Sequence, residues 1–171
     1  MFRFAFIFTA VLLGLFTLEL LPVGQEWVVM PFTRFVAALS AWVIQRFDAG
    51  VAVYDNILLD PASGFAVSIE AGCNGVEASL VLIAAMLAFP AGWRARLIGI
   101  AIGFLAIQAM NLLRIISLFY LGQWNQLAFE WAHLYLWQSL IILDVLVVFL
   151  IWLRYLPRRS PQPPPAEPSQ P

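Results

Sequence analysis

The chain has 171 residues, 63% of them hydrophobic and only 11% charged, with a mean hydropathy of +0.88 and a formal net charge of -1. A soluble domain of this size could not cover so much apolar surface with so few charges, so the composition marks a membrane-embedded chain. No basic, aromatic-interleaved surface for nucleic acid appears, and one Cys with one His excludes both an intramolecular disulfide and a zinc site made by the protein alone.

Met1 to Leu21 carries Arg3 and then a long apolar run, FAFIFTAVLLGLFTLELL, sufficient for most of a bilayer. Leu-Glu-Leu-Leu-Pro offers no small-x-small cleavage site, so residues 1–22 read as an uncleaved anchor with a cytoplasmic N-terminus. Residues 23–72 read as an extracytoplasmic segment. Its first part, Gln25 to Phe47, is interrupted by Pro31, Arg34, Gln45 and Arg46 and suits a helix lying in the interface. In its second part, Val51 to Ile69, the period changes to that of strands. Runs of β-formers flank Asp60-Pro61-Ala62-Ser63-Gly64, which predicts a small hairpin leading into Cys73.

Residues 73–156 read as a membrane core of three spans: Asn74 to Phe89, Leu97 to Phe119 and His133 to Leu153, with an extracytoplasmic loop over Leu121 to Ala132. Arg3, then Arg94 and Arg96, then Arg154, Arg158 and Arg159 all face the cytoplasm if there are four spans, and both termini lie there. Residues 157–171 are proline-rich, cannot pack a core, and read as a disordered cytoplasmic tail. The fold class is therefore all-α integral membrane, with about four transmembrane helices, an interfacial helix and a small extracytoplasmic β-hairpin.

The chemistry gathers at one membrane face. Cys73, the single cysteine, sits in a small-residue turn at the start of an apolar helix, where unpaired N–H groups favour a thiolate. His133 opens the last span from the same side, and Arg114 lies inside an apolar span, where a guanidinium is costly enough to need a purpose. Asn111 and Ser117 flank Arg114 on one arc. Glu77, one turn below Cys73, is expected to pair with Arg114 and aim it at the thiol. Asp144 shares a helix face with His133 but lies about 16 Å deeper, too far for a direct triad. Asn74 follows the thiol, and Trp42, Trp124, Trp131 and Trp137 suit the interfacial depth.

Taken singly, each residue has an ordinary structural use: the thiol as packing, the imidazole as a capping group, the guanidinium as a snorkelling anchor, and Glu77 and Asp144 as structural partners. Their coincidence at one face favours a reactive site. A second reading is a non-enzymatic membrane subunit or transporter component with a structural Arg/Glu/Asp network. A third is a membrane acyltransferase. No glycine-rich phosphate loop, dinucleotide fingerprint or metal-ligand spacing calls for a cofactor.

AGCNG at a helix start, NLLRI near the end of the next helix and an isolated His opening a later one resemble the exosortase/archaeosortase family of membrane proteases and transpeptidases, and most closely its compact exosortase H subtype. The resemblance spans roughly Glu70 to Arg154, departing in Asn74, where many members have Ser, and in span number. It implies a catalytic Cys73, Arg114 and His133, without metal or cofactor, in a multi-pass protein of the bacterial cytoplasmic (inner) membrane with an extracytoplasmic active site. The implied partners are exported proteins bearing a C-terminal motif, a transmembrane helix and a basic cluster, together with membrane lipid and no nucleic acid.

Overall fold

The computed structural model describes residues 2–156, so the tail and Arg158 and Arg159 lie outside the described residues. The described chain is all-α with one small antiparallel sheet, as the composition predicts. In chain order it forms α1 (Phe2–Leu20), α2 (Pro22–Ile44), strands β1 (Ala52–Tyr54), β2 (Ile57–Asp60) and β3 (Phe65–Ser68), then α3 (Val76–Ala88), α4 (Trp93–Trp124) and α5 (Gln126–Tyr155).

Four of these helices, α1, α2, α4 and α5, are long and apolar enough to cross a membrane. The number agrees with the sequence reading; by length and composition alone the four include α2, read there as an interfacial helix, and leave out α3, the expected second span, as a shorter apolar helix. The expected span from Asn74 to Phe89 is a helix of 13 residues, about 20 Å at 1.5 Å per residue against a hydrocarbon core of roughly 30 Å. Two local causes shorten it. Gly75 takes a left-handed conformation, φ 79°, which holds the chain out of the helix until Val76, and Phe89 is forced extended before Pro90.

The other two core helices are longer than expected. Helix α4 runs on to Trp124, and Asn125 makes the reversal into α5 in extended conformation, its Oδ1 accepting from the Ala128 N–H at 3.0 Å. The expected loop from Leu121 to Ala132 is therefore almost wholly helical: the apolar and aromatic residues of LAFEWA continue the pattern once a single residue has turned the chain.

The helices meet at two ends of contrasting chemistry. At one end Phe89 packs edge-on against Phe4 of α1 and against Trp152 of α5, while Trp152 donates to the Ala95 carbonyl at 2.9 Å. Arg3, Arg94, Arg96 and Arg154 are neighbours of these residues in sequence and so share that end. Arg96 is held there, donating to the Phe89 carbonyl at 2.8 Å and lying over the Trp93 ring.

The opposite end carries the sheet and Cys73. There Val36, Ala37, Ala41 and Ile44 of α2 close a core with Val51, Leu58, Ile69, Ile115 and Phe119. The same end of the molecule meets α2 earlier in its course, where Thr33 receives a hydrogen bond from Asn74.

The sheet has three strands in the order β1-β2-β3 instead of the expected single hairpin. The turn at Asp60 to Gly64 forms as read, with Asp60 accepting from the Ala62 and Ser63 N–H groups and from the Ser63 hydroxyl. The additional strand arises because the first β-run is broken by Asp55-Asn56: Asp55 adopts φ 56°, and Tyr54 pairs with Ile57 across a two-residue turn. The Asn56 side chain then donates to the Ile69 carbonyl at 2.9 Å, fixing the exit of β3 where the chain leaves for Cys73.

Candidate active site

The three residues expected to carry the chemistry meet. His133 Nε2 lies 3.2 Å from Cys73 Sγ, and Arg114 Nη2 donates to the same sulfur at 3.6 Å. Each arrives by a different device.

Cys73 lies in the turn Glu70 to Gly75 between β3 and α3, not on the helix, its N–H bonded to the Glu70 carbonyl at 2.9 Å. Asn74 anchors this turn. It is wholly buried, donates from Nδ2 to Thr33 Oγ1 at 2.9 Å and accepts at Oδ1 from the Val76 N–H at 3.0 Å. Thr33 in turn donates to the Val29 carbonyl. The turn also needs Gly75, where a Cβ would fall 2.8 Å from Gln108 Nε2 in addition to the positive φ. Nothing near Thr33 in the sequence marks it as a partner of Asn74, because the contact joins elements 41 residues apart.

Arg114 and His133 flank the reversal at Asn125. Arg114 lies about 16 Å before it and His133 about 12 Å after it at helical rise, so the antiparallel pair brings them to similar depth. Arg114 is therefore deeper than the Leu97 to Phe119 span read from the sequence implies, since five residues from Phe119 would be about 8 Å at helical rise.

His133 does not open its helix. It sits in a π-helical turn, Ala132–Leu136, whose extra residue per turn re-aims side chains and is characteristic of functional positions. Its ring stacks on Phe129, Phe129 meets Phe65 of β3, and Phe65 fills the space left by Gly122. The sheet thus supports the imidazole from behind.

Two expectations fail. Arg114 is not paired with Glu77: the one salt bridge among the described residues joins Arg34 to Asp55. The turn through Gly75 leaves Glu77 lining the cavity beside the site and within electrostatic reach of Glu19 of α1 instead. Arg114 is left 4% exposed with no carboxylate on it and its Nε without a partner.

Nor is the thiol favoured as a thiolate. Burial pushes the Cys73 thiol above its ordinary range, Glu77 and Glu70 push the same way, and only Arg114 opposes them. The helix-dipole expectation fails because α3 begins three residues later, and Cys73 does not cap it.

The remaining predicted residues divide. Asn111 lies beside the site, 1% exposed, with neither Nδ2 nor Oδ1 hydrogen bonded. The Ser117 hydroxyl donates to the Arg114 carbonyl. Asp144, half-buried with Oδ2 unpartnered, makes no contact with His133 among the hydrogen bonds of the described residues. Trp42, Trp124 and Trp131 are exposed, whereas Trp137 is buried against Leu118 and Ala132. Gln108 went unread in the sequence, though the spacing of three from Gln108 to Asn111 and of three again from Asn111 to Arg114 was a visible signal of one polar helix face. It donates to the Gly75 carbonyl at 3.2 Å. Among the described residues no group of three or more His, Cys, Asp or Glu is placed to hold a metal ion.

A cavity of about 480 Å³ opens beside the site. Gly72, Gly75 and Arg114 form one end, Glu77, Asn111 and Gln138 add polar groups to the lining, and the rest is apolar residues of α1, α3 and α5, Phe8, Val81 and Val145 among them.

Compared with known families, residues 2–153 match the model of the transmembrane exosortase family (Exosortase_EpsH), and the chain belongs to that family. No curated protein and no solved structure matches it. The chain is thus a multi-pass membrane protein of a sorting-enzyme family.

Proposed function

We propose that this transmembrane exosortase is a cysteine protease or transpeptidase that cleaves the C-terminal sorting signals of exported proteins at the outer face of the bacterial cytoplasmic membrane. The observation that carries this reading is a buried guanidinium without a carboxylate, 3.6 Å from a sulfur that is itself 3.2 Å from an imidazole. Such an arginine is kept for a negative charge that appears only during reaction.

The chemistry follows from that arrangement. Cys73 Sγ bonds to the scissile carbonyl carbon as its proton passes to His133 Nε2, and the carbonyl oxygen becomes an oxyanion held by Arg114. Collapse breaks the C–N bond, and the proton on His133 departs with the amine. Water or an acceptor amine then attacks the thioester on Cys73, yields its proton to His133, and the sulfur leaves and is reprotonated. His133 therefore acts in turn as base and as acid, and its role as base is needed because burial raises the pKa of the Cys73 thiol. Transfer to an acceptor is the finer part of the proposal and rests on the family alone.

Orientation supports the same reading. Arg3, Arg94, Arg96 and Arg154 at the end opposite Cys73 support a cytoplasmic position for that end and the N-terminus, and an outer-face position for the site. The partners are then exported proteins with a C-terminal motif, a transmembrane helix and a basic cluster. The transporter reading needs a paired Arg/Glu/Asp network, and Arg114 has no such pair.

The test is the length of membrane-anchored exported proteins in strains carrying Cys73→Ala, Arg114→Ala and His133→Ala. Uncleaved precursors should accumulate in all three. Normal processing in the Cys73→Ala strain would overturn the assignment.

A further inference from the structure

Asn111 is the least explained polar residue of the molecule. Its side chain is 1% exposed, both of its polar atoms lack hydrogen-bond partners, and it lines the cavity described above, one helical turn below Arg114. An amide buried with neither donor nor acceptor satisfied is costly, and replacing it by an apolar side chain would relieve that cost in the empty protein. A carboxamide so placed fits a ligand that supplies one acceptor and one donor together.

We propose that Asn111 binds the backbone of the substrate immediately on the membrane side of the scissile bond, and that the apolar segment that follows lies in the groove between α1, α3 and α5. This rests on the reading of Cys73 as the nucleophile of a peptide-cleaving site. A residue in extended conformation presents its own N–H and C=O to the same side, the complement of a carboxamide. The groove is continuous with the site, because Gly72, Gly75 and Arg114, which flank or touch Cys73, form its end. Beyond Asn111 its walls are apolar and descend along α3 and α5 past Val81, Ile142 and Val145 towards Phe149, near the arginine-bearing end. A lipid chain would match those walls but leave both atoms of Asn111 unsatisfied. A polypeptide that is polar at its backbone where it enters and apolar in its side chains below satisfies both. Asn111 is thus a positioning residue whose contact fixes which carbonyl reaches the sulfur.

The test uses the full chain in membranes and, as probe, the exported protein whose uncleaved form accumulates with Cys73→Ala. Asn111→Leu should lower cleavage about tenfold, mainly through KM, as expected for hydrogen bonds to the backbone of one residue. The same variant should melt at or above the parent temperature and leave alkylation of Cys73 by a small reagent unchanged, which a structural role would not allow. Independently, in the Cys73→Ala chain, a cysteine in the probe's apolar segment should form a disulfide with Val145→Cys and not with Leu105→Cys on the exposed face of α4. Parental cleavage by Asn111→Leu, joint loss of melting temperature and thiol reactivity, or equal cross-linking from Leu105→Cys would each overturn the inference while leaving the cysteine chemistry standing. If no uncleaved protein accumulates with Cys73→Ala, the underlying reading falls and takes this one with it.

Discussion

Two buried asparagines on either side of one sulfur are treated in opposite ways. Asn74, in the turn that carries Cys73, has its acceptor and a donor engaged, by Val76 and Thr33. Asn111, on the face of α4 below that turn, has neither. Arg114, on the same face, is likewise incompletely satisfied. The turn is a closed scaffold, complete in the empty protein, whereas the helix face is open and waits for groups that the protein does not supply. Buried polar groups that satisfy one another specify a structure, and those left unsatisfied mark where something else must bind.

Breaking the open side should affect catalysis without affecting the fold. Arg114→Leu is expected to lower the rate of precursor cleavage by about a hundredfold to a thousandfold, the usual loss when one oxyanion donor is removed. Because the guanidinium has no ion partner, the variant should unfold no earlier than the parent in a thermal melt. A collapse of the melting temperature would show that Arg114 belongs to the scaffold after all.

Breaking the closed side should do the reverse first. Asn74→Ala removes two buried hydrogen bonds and is expected to destabilise the protein by about 2 to 3 kcal/mol, with activity falling as the turn loosens. Thr33→Val, which removes the far partner of Asn74 and the hydroxyl's own bond to Val29 while Asn74 keeps its bond to Val76, should cost about 1 to 2 kcal/mol. Melting temperatures of the two variants in detergent measure both. Equal losses would mean that the anchor to α2, not the turn itself, holds Cys73.

The boundary between the two sides can be titrated. Since burial above all, and then Glu77 and Glu70, push the Cys73 thiol up while Arg114 pulls it down, alkylation by a small reagent should reach its plateau at a pH above that of an ordinary thiol. Arg114→Leu removes the one opposing influence and should move the midpoint higher still. Glu77→Gln should move it lower. A midpoint below the ordinary range in the parent would restore a resting thiolate and relieve His133 of its role as base.

The sequence made some of this legible and concealed the rest for physical reasons. Composition and hydropathy were enough for a helical membrane protein, and the turn at Asp60 to Gly64 was visible in its residue types. The convergence of Cys73, Arg114 and His133 followed from topology, because an antiparallel helix pair brings residues equidistant from its turn to one level. Helix ends were misread where a single backbone conformation decides them: Gly75 delays α3, and Asn125 confines a supposed loop to one residue. Charge pairing was misread because Glu77 and Arg114 were judged by depth alone, while the direction in which Glu77 points depends on the left-handed residue before the helix. The partnership of Asn74 with Thr33 had no local sign, and the π-turn that presents His133 has no sequence signature in AHLYL.

The contrast between open and closed polar groups also predicts where charge should matter little. Arg34 forms the salt bridge that Arg114 lacks, yet its side chain is 55% exposed and that of Asp55 41%. In that setting the attraction is screened by water and offset by the entropy of holding two side chains, so the pair is worth about 0.2 to 1 kcal/mol at most. Arg34→Ala should therefore leave precursor cleavage unchanged and lower stability by less than about 1 kcal/mol, even though Asp55 occupies the positive-φ position that turns β1 into β2. The turn has its own support, since the strand pairing of Tyr54 with Ile57 closes it without the arginine. A loss comparable to that of Asn74→Ala would mean that α2 is fixed to the sheet through this exposed pair, and that the anchor of the cysteine turn begins farther from the sulfur than its hydrogen bonds suggest.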